Sequence, residues 1–445
     1  MDPAIDAIAD FVVALRHDAL PDEVVDRASS IVVDTLGCAL GGLDSPGAQM
    51  ASRSAAPGPA SVIGQTGRVA VEDAAFWNTA AIRYLDFNDT LVTGHPSDEL
   101  GALFAEAGAG EATGIDLLAA LVVAYEVHAR LADRMQHRLI VDQVYLMTVA
   151  AVAGLCHLRR CSPATTRHAL SMAATSGLAL RASRTGELSD YKGLASAVNM
   201  RQAVFLVRMA EHGLTGPSAP VNGKQGLAEL LDGRGSELVL DAFDSWRIHH
   251  TWQKYWPGAY NMAPSIWAAL ELRDRVGAEE IDSITLRVAP LAWEVSGSEP
   301  EKWHPRTRET ADHSLPYTFA HTFLCGTLDD SAFEAAALVD PQTASIMQRI
   351  TVEPDWELGP ALPGVIGTTA LALDARGTTH TVTVTYPVGH DQNPMTRDQL
   401  DTKVRRLAGP VLGDRTDAAL EAAWRCRSAD RFADVLEAFV VPDRG

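Results

Sequence analysis

Twelve residues from Asp86 to Ser97 hold two carboxylates, an amide, three hydroxyls and an imidazole, in the order Asp86-Phe87-Asn88-Asp89-Thr90-Leu91-Val92-Thr93-Gly94-His95-Pro96-Ser97. Gly94 and Pro96 disfavour a continuous helix, so the segment reads as a loop. Such a loop can place a general base and the group that orients it within hydrogen-bond reach. It is not a calcium loop, because the required glycine and closing glutamate are missing. Lysine usage gives a second signal. The chain has five lysines (Lys192, Lys224, Lys254, Lys302 and Lys403) among 37 basic residues, leaving 32 arginines. A sequence that writes arginine almost everywhere keeps lysine where a compact charge or a removable proton is needed. Lys192 stands in a Ser-Asp-Tyr-Lys-Gly-Leu segment read as a loop before a helix, and Lys254 in Thr-Trp-Gln-Lys-Tyr-Trp-Pro-Gly. His313 is placed to reach a cleft from a second domain, and His249-His250 to border the Lys254 loop. His128 and His157 sit in helical patterns and read as packed or capping groups.

These groups need elements to carry them. Ile5, Ile8, Phe11, Val12 and Leu15 repeat at three and four residues, the apolar stripe of a helix. Pro21-Asp22-Glu23 opens the next helix and Gly41-Gly42 closes it. Similar patterns predict helices over 98–107, 115–133, 146–158, 163–178 and 195–213, with Ser162-Pro163 as a start signal. Beyond about residue 270 the period changes. Ile284, Leu286 and Val288 alternate with polar neighbours, and 369–386 reads as a hairpin turning at Asp374-Ala375-Arg376-Gly377. Helices return at 397–407, 416–425 and 428–439. The expected fold class is mainly α: a large all-helical domain over 1–269, completed by 396–445, and a smaller α+β domain over 270–395.

Composition excludes several functions. With 445 residues and 47% hydrophobic content the chain can bury a sizeable core. A formal charge of -20 argues against nucleic acid as a partner. Five cysteines spread along the chain, Cys38, Cys156, Cys161, Cys325 and Cys426, read as reduced thiols in a cytoplasmic protein. No signal peptide is read at the N-terminus, and the apolar run Leu117–Tyr125 is too short to span a bilayer, so no membrane is expected as a partner. Gly108-Ala109-Gly110 follows a helical pattern rather than a strand, so it is no dinucleotide loop. No Walker loop, nucleophile elbow or zinc-ligand spacing occurs, and cofactors are expected to be none.

Taken together, these residues resemble the 2-methylcitrate dehydratase family, also called the MmgE/PrpD family. Asp86-Phe87-Asn88-Asp89-Thr90 with His95-Pro96-Ser97 is similar to its Asp-Phe-Asp-Asp-Thr…His-Pro-Ser segment. Lys254-Tyr255-Trp256-Pro257, Ser314-Leu315-Pro316-Tyr317, and Gly389 with Asn393-Pro394 and Lys403 resemble further family elements. The resemblance implies a helical domain, a smaller α+β domain, a homodimer and a cofactor-free site between the domains. Its members include dehydratases, decarboxylases of cis-aconitate and an epimerase of iminodisuccinate. By position, Asp86, Thr90, His95, Lys192 and Lys254 match residues lining the decarboxylase site. The chain departs from the lyase pattern in four places. Asn88 stands for aspartate and Arg83 for histidine, Val141–Tyr145 lacks histidine, and Gly258-Ala259 stands where lyases place Cys or His.

Those missing imidazoles favour an epimerase. The expected enzyme is a cofactor-independent isomerase that removes the proton α to a carboxylate of an iminodicarboxylate such as iminodisuccinate. The alternatives are a hydro-lyase or decarboxylase on a citrate-like acid, and an inactive carboxylate-binding protein. Expected catalytic residues are Lys192, His95, Asp86, Tyr145 and Lys254, with the lysines and His95 stabilising an enediolate. Expected substrate-binding residues are Asn88, Asp89, Thr90, Tyr255 and His313. The expected partner is a small di- or polycarboxylate, with the chain a homodimer.

Overall fold

The helical patterns in the first half form helices because each carries a start signal and an apolar face. A computed structural model describes residues 2–91, 93–134, 141–186, 188–232, 237–358 and 369–441. Thr113 and Asp116 close a capping box at the start of the helix Gly114–Ala132, and Ser162 caps Pro163–Ala173. The helix Gly114–Ala132 packs against Val144–Leu158, and Val71–Arg83 packs against both Leu100–Ala109 and Tyr191–Glu211. These middle helices are apolar nearly all round, which is why they sit at the centre of the first core. Helix Asp22–Gly41 ends where expected. A side chain on Gly42 would place its Cβ 2.0 Å from the Ala81 carbonyl oxygen, so the glycine is there for close approach. No described helix is long and apolar enough to cross a membrane.

The C-terminal helices Arg397–Leu412, Thr416–Trp424 and Phe432–Ala438 return to this first core through Leu400, Val404, Leu420, Phe432 and Leu436. A second core holds four strands in the order Ile350–Pro354, Ile281–Val288, Thr369–Ala375, Thr378–Val384. The first pair is parallel and the others antiparallel. The hairpin turn is tighter than the four residues expected. Ala375 pairs with Thr378, and Arg376 and Gly377 alone make the turn at φ 47° and 78°. The second core begins at Met262 and includes Ile266 and Ala269. The helix Ala263–Arg273, which straddles the expected boundary at 269/270, therefore packs on the sheet side. The chain is mainly α with a smaller α+β part.

Candidate active site

Where the helix Val71–Arg83 ends, Asp86 takes up φ 47°, the left-handed region that aspartate tolerates better than most residues. This turns its carboxylate into the protein, 1% exposed. Oδ1 accepts from Arg83 Nη1 at 2.8 Å and from Lys254 Nζ at 2.5 Å, and Oδ2 accepts from Lys192 Nζ at 3.2 Å. Burial alone would raise the Asp86 pKa. The Arg83, Lys254 and Lys192 cations overcome it and hold the carboxyl well below the usual carboxylate range. Its backbone carbonyl also accepts twice, from Lys254 Nζ at 2.9 Å and from the Gly258 amide at 3.0 Å. Gly258 stands at φ 105°, and a Cβ there would come within 2.8 Å of the Asp312 carbonyl oxygen. Glycine is required at this bend, so no imidazole could occupy it.

The rest of the loop positions His95. Asp89 accepts from the Ser97 amide at 3.0 Å and from the Tyr125 hydroxyl at 2.6 Å. Its own carbonyl lies 2.7 Å from His95 Nδ1. A carbonyl only accepts, so Nδ1 carries the proton and Nε2 keeps a lone pair, 3.8 Å from Asp86 Oδ1. Burial, together with the Arg83 and Lys254 cations, pushes the His95 pKa well below its ordinary value. His95 is therefore neutral at pH 7, with Nε2 free to act as a base. Asn88 donates to Ser97 Oγ at 2.8 Å and to Asp98 Oδ1 at 2.7 Å, bracing the loop from inside. Below it, His128 reaches Glu99 at 2.8 Å and the Thr93 carbonyl at 2.8 Å. Val92 lies outside the described residues.

Lys192 is not in a loop; it is the second residue of the helix Tyr191–Glu211. Its ammonium sits in a three-sided socket, 3.2 Å from Asp86 Oδ2, 3.0 Å from Asp312 Oδ1 and 3.1 Å from His313 Nδ1. These three residues place possible metal-ligand atoms within 4.8 Å of one another. The Lys192 ammonium already bonds to one ligand atom of each, so a metal ion would have to displace it. Burial and the nearby Lys192 charge lower the His313 pKa to about 4, so this imidazole is also neutral. Burial brings the Lys254 pKa down to about 8, against the pull of Asp86. Lys403 braces the site from behind, donating to the Phe87 and Lys254 carbonyls at 2.8 Å each and pairing with Asp34 at 2.6 Å.

A cleft of about 320 Å³ opens onto these groups between the two cores. Thr90, His95, Gln143, Arg181, Arg184 and Trp252 line it from the first core; Tyr260, Asn261, Leu291, Glu294, Lys302 and His313 line it from the second, with Asp86 and Lys254 at the junction. Five expected site residues, Tyr145, Tyr255, Asn88, Asp89 and Lys192, are not among those that line it. The Tyr145 hydroxyl donates to the Ala174 carbonyl inside the helical packing, and burial raises its pKa. Tyr255 packs on Trp256 and Trp267, away from the cleft. Asn88 and Asp89 shape the loop without lining it. His250 contacts Asp391 at the exposed surface. Sequence reasoning missed Gln143, Arg184, Tyr260 and Lys302. For Lys302 a signal existed, because it is one of only five lysines beside 32 arginines.

The family model of the MmgE/PrpD N-terminal domain matches residues 6–237, and that of the C-terminal domain matches 256–426. Among curated relatives, the 2-methylcitrate dehydratase of Cupriavidus necator is 26% identical, the match covering 92% of this chain and 91% of the relative. That of Escherichia coli K12 is 25% identical over 87% and 86%. An alkylcitrate dehydratase of a fungal species is 26% identical over 85% and 82%. These relatives are named as dehydratases, which are lyases, and this overturns the epimerase and isomerase expectation. That expectation rested on imidazoles missing at 141–145 and 258–259. Two imidazoles nonetheless line the cleft, His95 from the first core and His313 from the second.

Proposed function

Because the chain belongs to the MmgE/PrpD family, we propose that it is a hydro-lyase that removes water from a citrate-like hydroxy-polycarboxylate, of which 2-methylcitrate is the first to test. The observation that carries this reading is the pairing on one Asp86 oxygen. A neutral base, His95 Nε2, and a protonated amine, Lys254 Nζ, both face Oδ1, at 3.8 and 2.5 Å, at the edge of a cleft that also presents Arg181, Arg184 and Lys302. Dehydration needs such a pair. His95 takes the proton from the carbon next to one carboxylate, and the negative charge that develops spreads onto that carboxylate. Preorganised cations in a sheltered cleft stabilise it as it forms. The carbon–oxygen bond of the neighbouring hydroxyl then breaks, and a proton from Lys254 lets it leave as water. An unsaturated acid and one water result, and the base and the amine regain their starting protonation through solvent. A lysine whose pKa lies near 8 is well placed for this, being largely protonated at pH 7 yet able to give the proton up. Asp86 holds that amine and its carbonyl fixes it from a second side. The five cysteines are free thiols, which supports work in the cytoplasm.

The test is turnover. The protein is incubated with 2-methylcitrate, citrate and related hydroxy-tricarboxylates, and the near-ultraviolet absorbance of the alkene is followed with mass balance. An unsaturated acid formed by wild type and lost in His95→Gln is the expected result. Absence of any unsaturated product across the panel would refute the reading.

A further inference from the structure

Four lysines are buried in and behind the cleft, and three of them hydrogen-bond to protein groups. Lys192 has three partners, Lys254 two oxygens of Asp86, and Lys403 two carbonyls and Asp34. Lys302 differs. It is 2% exposed and lines the cleft from the second core, yet its ammonium has no hydrogen-bond partner among the described residues. The nearest anion is Glu299 Oε2 at 3.9 Å, on a side chain one-third exposed to water. The ammonium tip opens to the cleft and is only loosely paired with Glu299, which leaves its hydrogen-bond donors available to a ligand. Burial, with the Lys192 charge adding to it, lowers its pKa.

The backbone nevertheless holds Lys302 firmly. It lies in the short helix Pro300–Trp303, its amide donates to the Glu299 carbonyl at 3.1 Å, and its carbonyl accepts from the Ser314 hydroxyl. The same Ser314 oxygen caps the helix Leu315–Cys325 by accepting from the Tyr317 amide. Ser314 directly follows His313, so one hydroxyl fixes Lys302 relative to an imidazole of the cleft. A charge pinned at its backbone and only loosely paired at its tip is preorganised for a ligand.

We propose that Lys302 is the clamp by which the second core holds a substrate carboxylate, the one remote from the carbon that gives up its proton. His95 and Lys254 gather on Asp86, whereas Lys302 makes no ion pair with Asp86 or Asp312. A substrate spanning the cleft would present one carboxylate to each wall, and an acid lacking the remote arm would leave Lys302 empty. The inference rests on the polycarboxylate reading above and deepens it, making Lys302 a binding residue that selects for a third carboxylate.

Two unreactive probes test it, propane-1,2,3-tricarboxylate and succinate, which lacks the remote arm. Their affinities are measured by calorimetry for wild type, Lys302→Met and Lys302→Arg, alongside melting temperatures. Loss of a charge-assisted hydrogen bond predicts that Lys302→Met binds the tricarboxylate roughly 10- to 100-fold more weakly. Succinate binding should be unchanged, and Lys302→Arg should retain part of the tricarboxylate affinity. The melting temperature of Lys302→Met should stay level, since the ammonium makes no hydrogen bond to the described residues; a structural lysine would lower it. Equal tricarboxylate affinity in Lys302→Met, a parallel loss for succinate, a lower melting temperature, or no tricarboxylate binding by wild type would each overturn the proposal. If binding behaves as expected but no hydroxy-acid is dehydrated, the hydro-lyase reading fails and the clamp stands.

Discussion

Replacing Asp86 with asparagine should move the alkaline limb of the pH–rate profile downward. Lys254 Nζ lies 2.5 Å from Asp86 Oδ1, and that anion raises the amine's pKa against the burial that brings it to about 8. Asparagine keeps the shape and the carbonyl contact but removes the negative charge, so the protonated amine loses its main support. A hydrogen bond between charged groups contributes about 1.5–3 kcal/mol. At 1.36 kcal/mol per pKa unit this amounts to a fall of about 1–2 units. The assay is kcat/KM from pH 5 to 10, whose limbs report the free enzyme's essential base and acid. Wild type should rise at a pH well below 6.5, where His95 becomes neutral, and decline near 8 as Lys254 loses its proton. In Asp86→Asn the decline should begin one to two units earlier. Arg83→Gln supplies the opposite sign, because the Arg83 charge lowers the Lys254 pKa and its removal should shift the limb upward. Both variants disturb one buried network, so general damage would not move the limb in opposite directions. An alkaline limb that stays in place in Asp86→Asn, or moves the same way in both, would refute Lys254 as the acid.

Three further outcomes are expected. Lys192→Arg should lose roughly 3–4 kcal/mol of transition-state stabilisation, seen as a fall in kcat with a near-normal melting temperature; its forked guanidinium does not fit a socket with partners at 3.0–3.2 Å, and normal turnover would show this lysine to be incidental. Prolonged chelator treatment should leave the rate unchanged, because an ammonium occupies the Asp86–Asp312–His313 donor set; recovery on adding a metal ion would contradict this. Light scattering should report a homodimer at twice 47.6 kDa, with Tyr191, Val198 and Phe205, exposed at seven-residue spacing on one helix, buried between subunits. A monomer at micromolar concentration would exclude it.

Helices and strands were legible because periodicity and caps act locally. The capping signals at Ser162-Pro163 and the alternation at Ile284–Val288 each produced the expected element. The loop chemistry was legible too, since Asp86, Thr90 and His95 share one short segment, and lysine scarcity pointed to Lys192 and Lys254. Tertiary facts were not legible. Tyr145 was chosen for its chemistry, but the Ala174 carbonyl that accepts its hydrogen bond stands at the end of another helix. The missing imidazoles were judged along the chain, whereas the cleft is filled in space, by His313 from a different core. Lys302 stood in plain view among five lysines, but its lack of partners is a three-dimensional property. The neutral state of His95 was not legible, because neither its burial nor its guanidinium neighbour shows in the sequence.

Lys403, which clips the carbonyls of Phe87 and Lys254, reaches Phe87 across 316 residues of chain. At a synthesis rate of about 5–20 residues per second, that separation delays the clip by roughly 15–60 s after Phe87 is made. At the start of that interval Arg83 and Asp86 are already on the nascent chain, while Lys192, Lys254 and Asp312 arrive in turn. The loop is therefore made early and clipped late, once translation has passed Lys403. A chain truncated ahead of residue 397 would keep every residue that touches the cleft and still lack the brace that holds two of them in register.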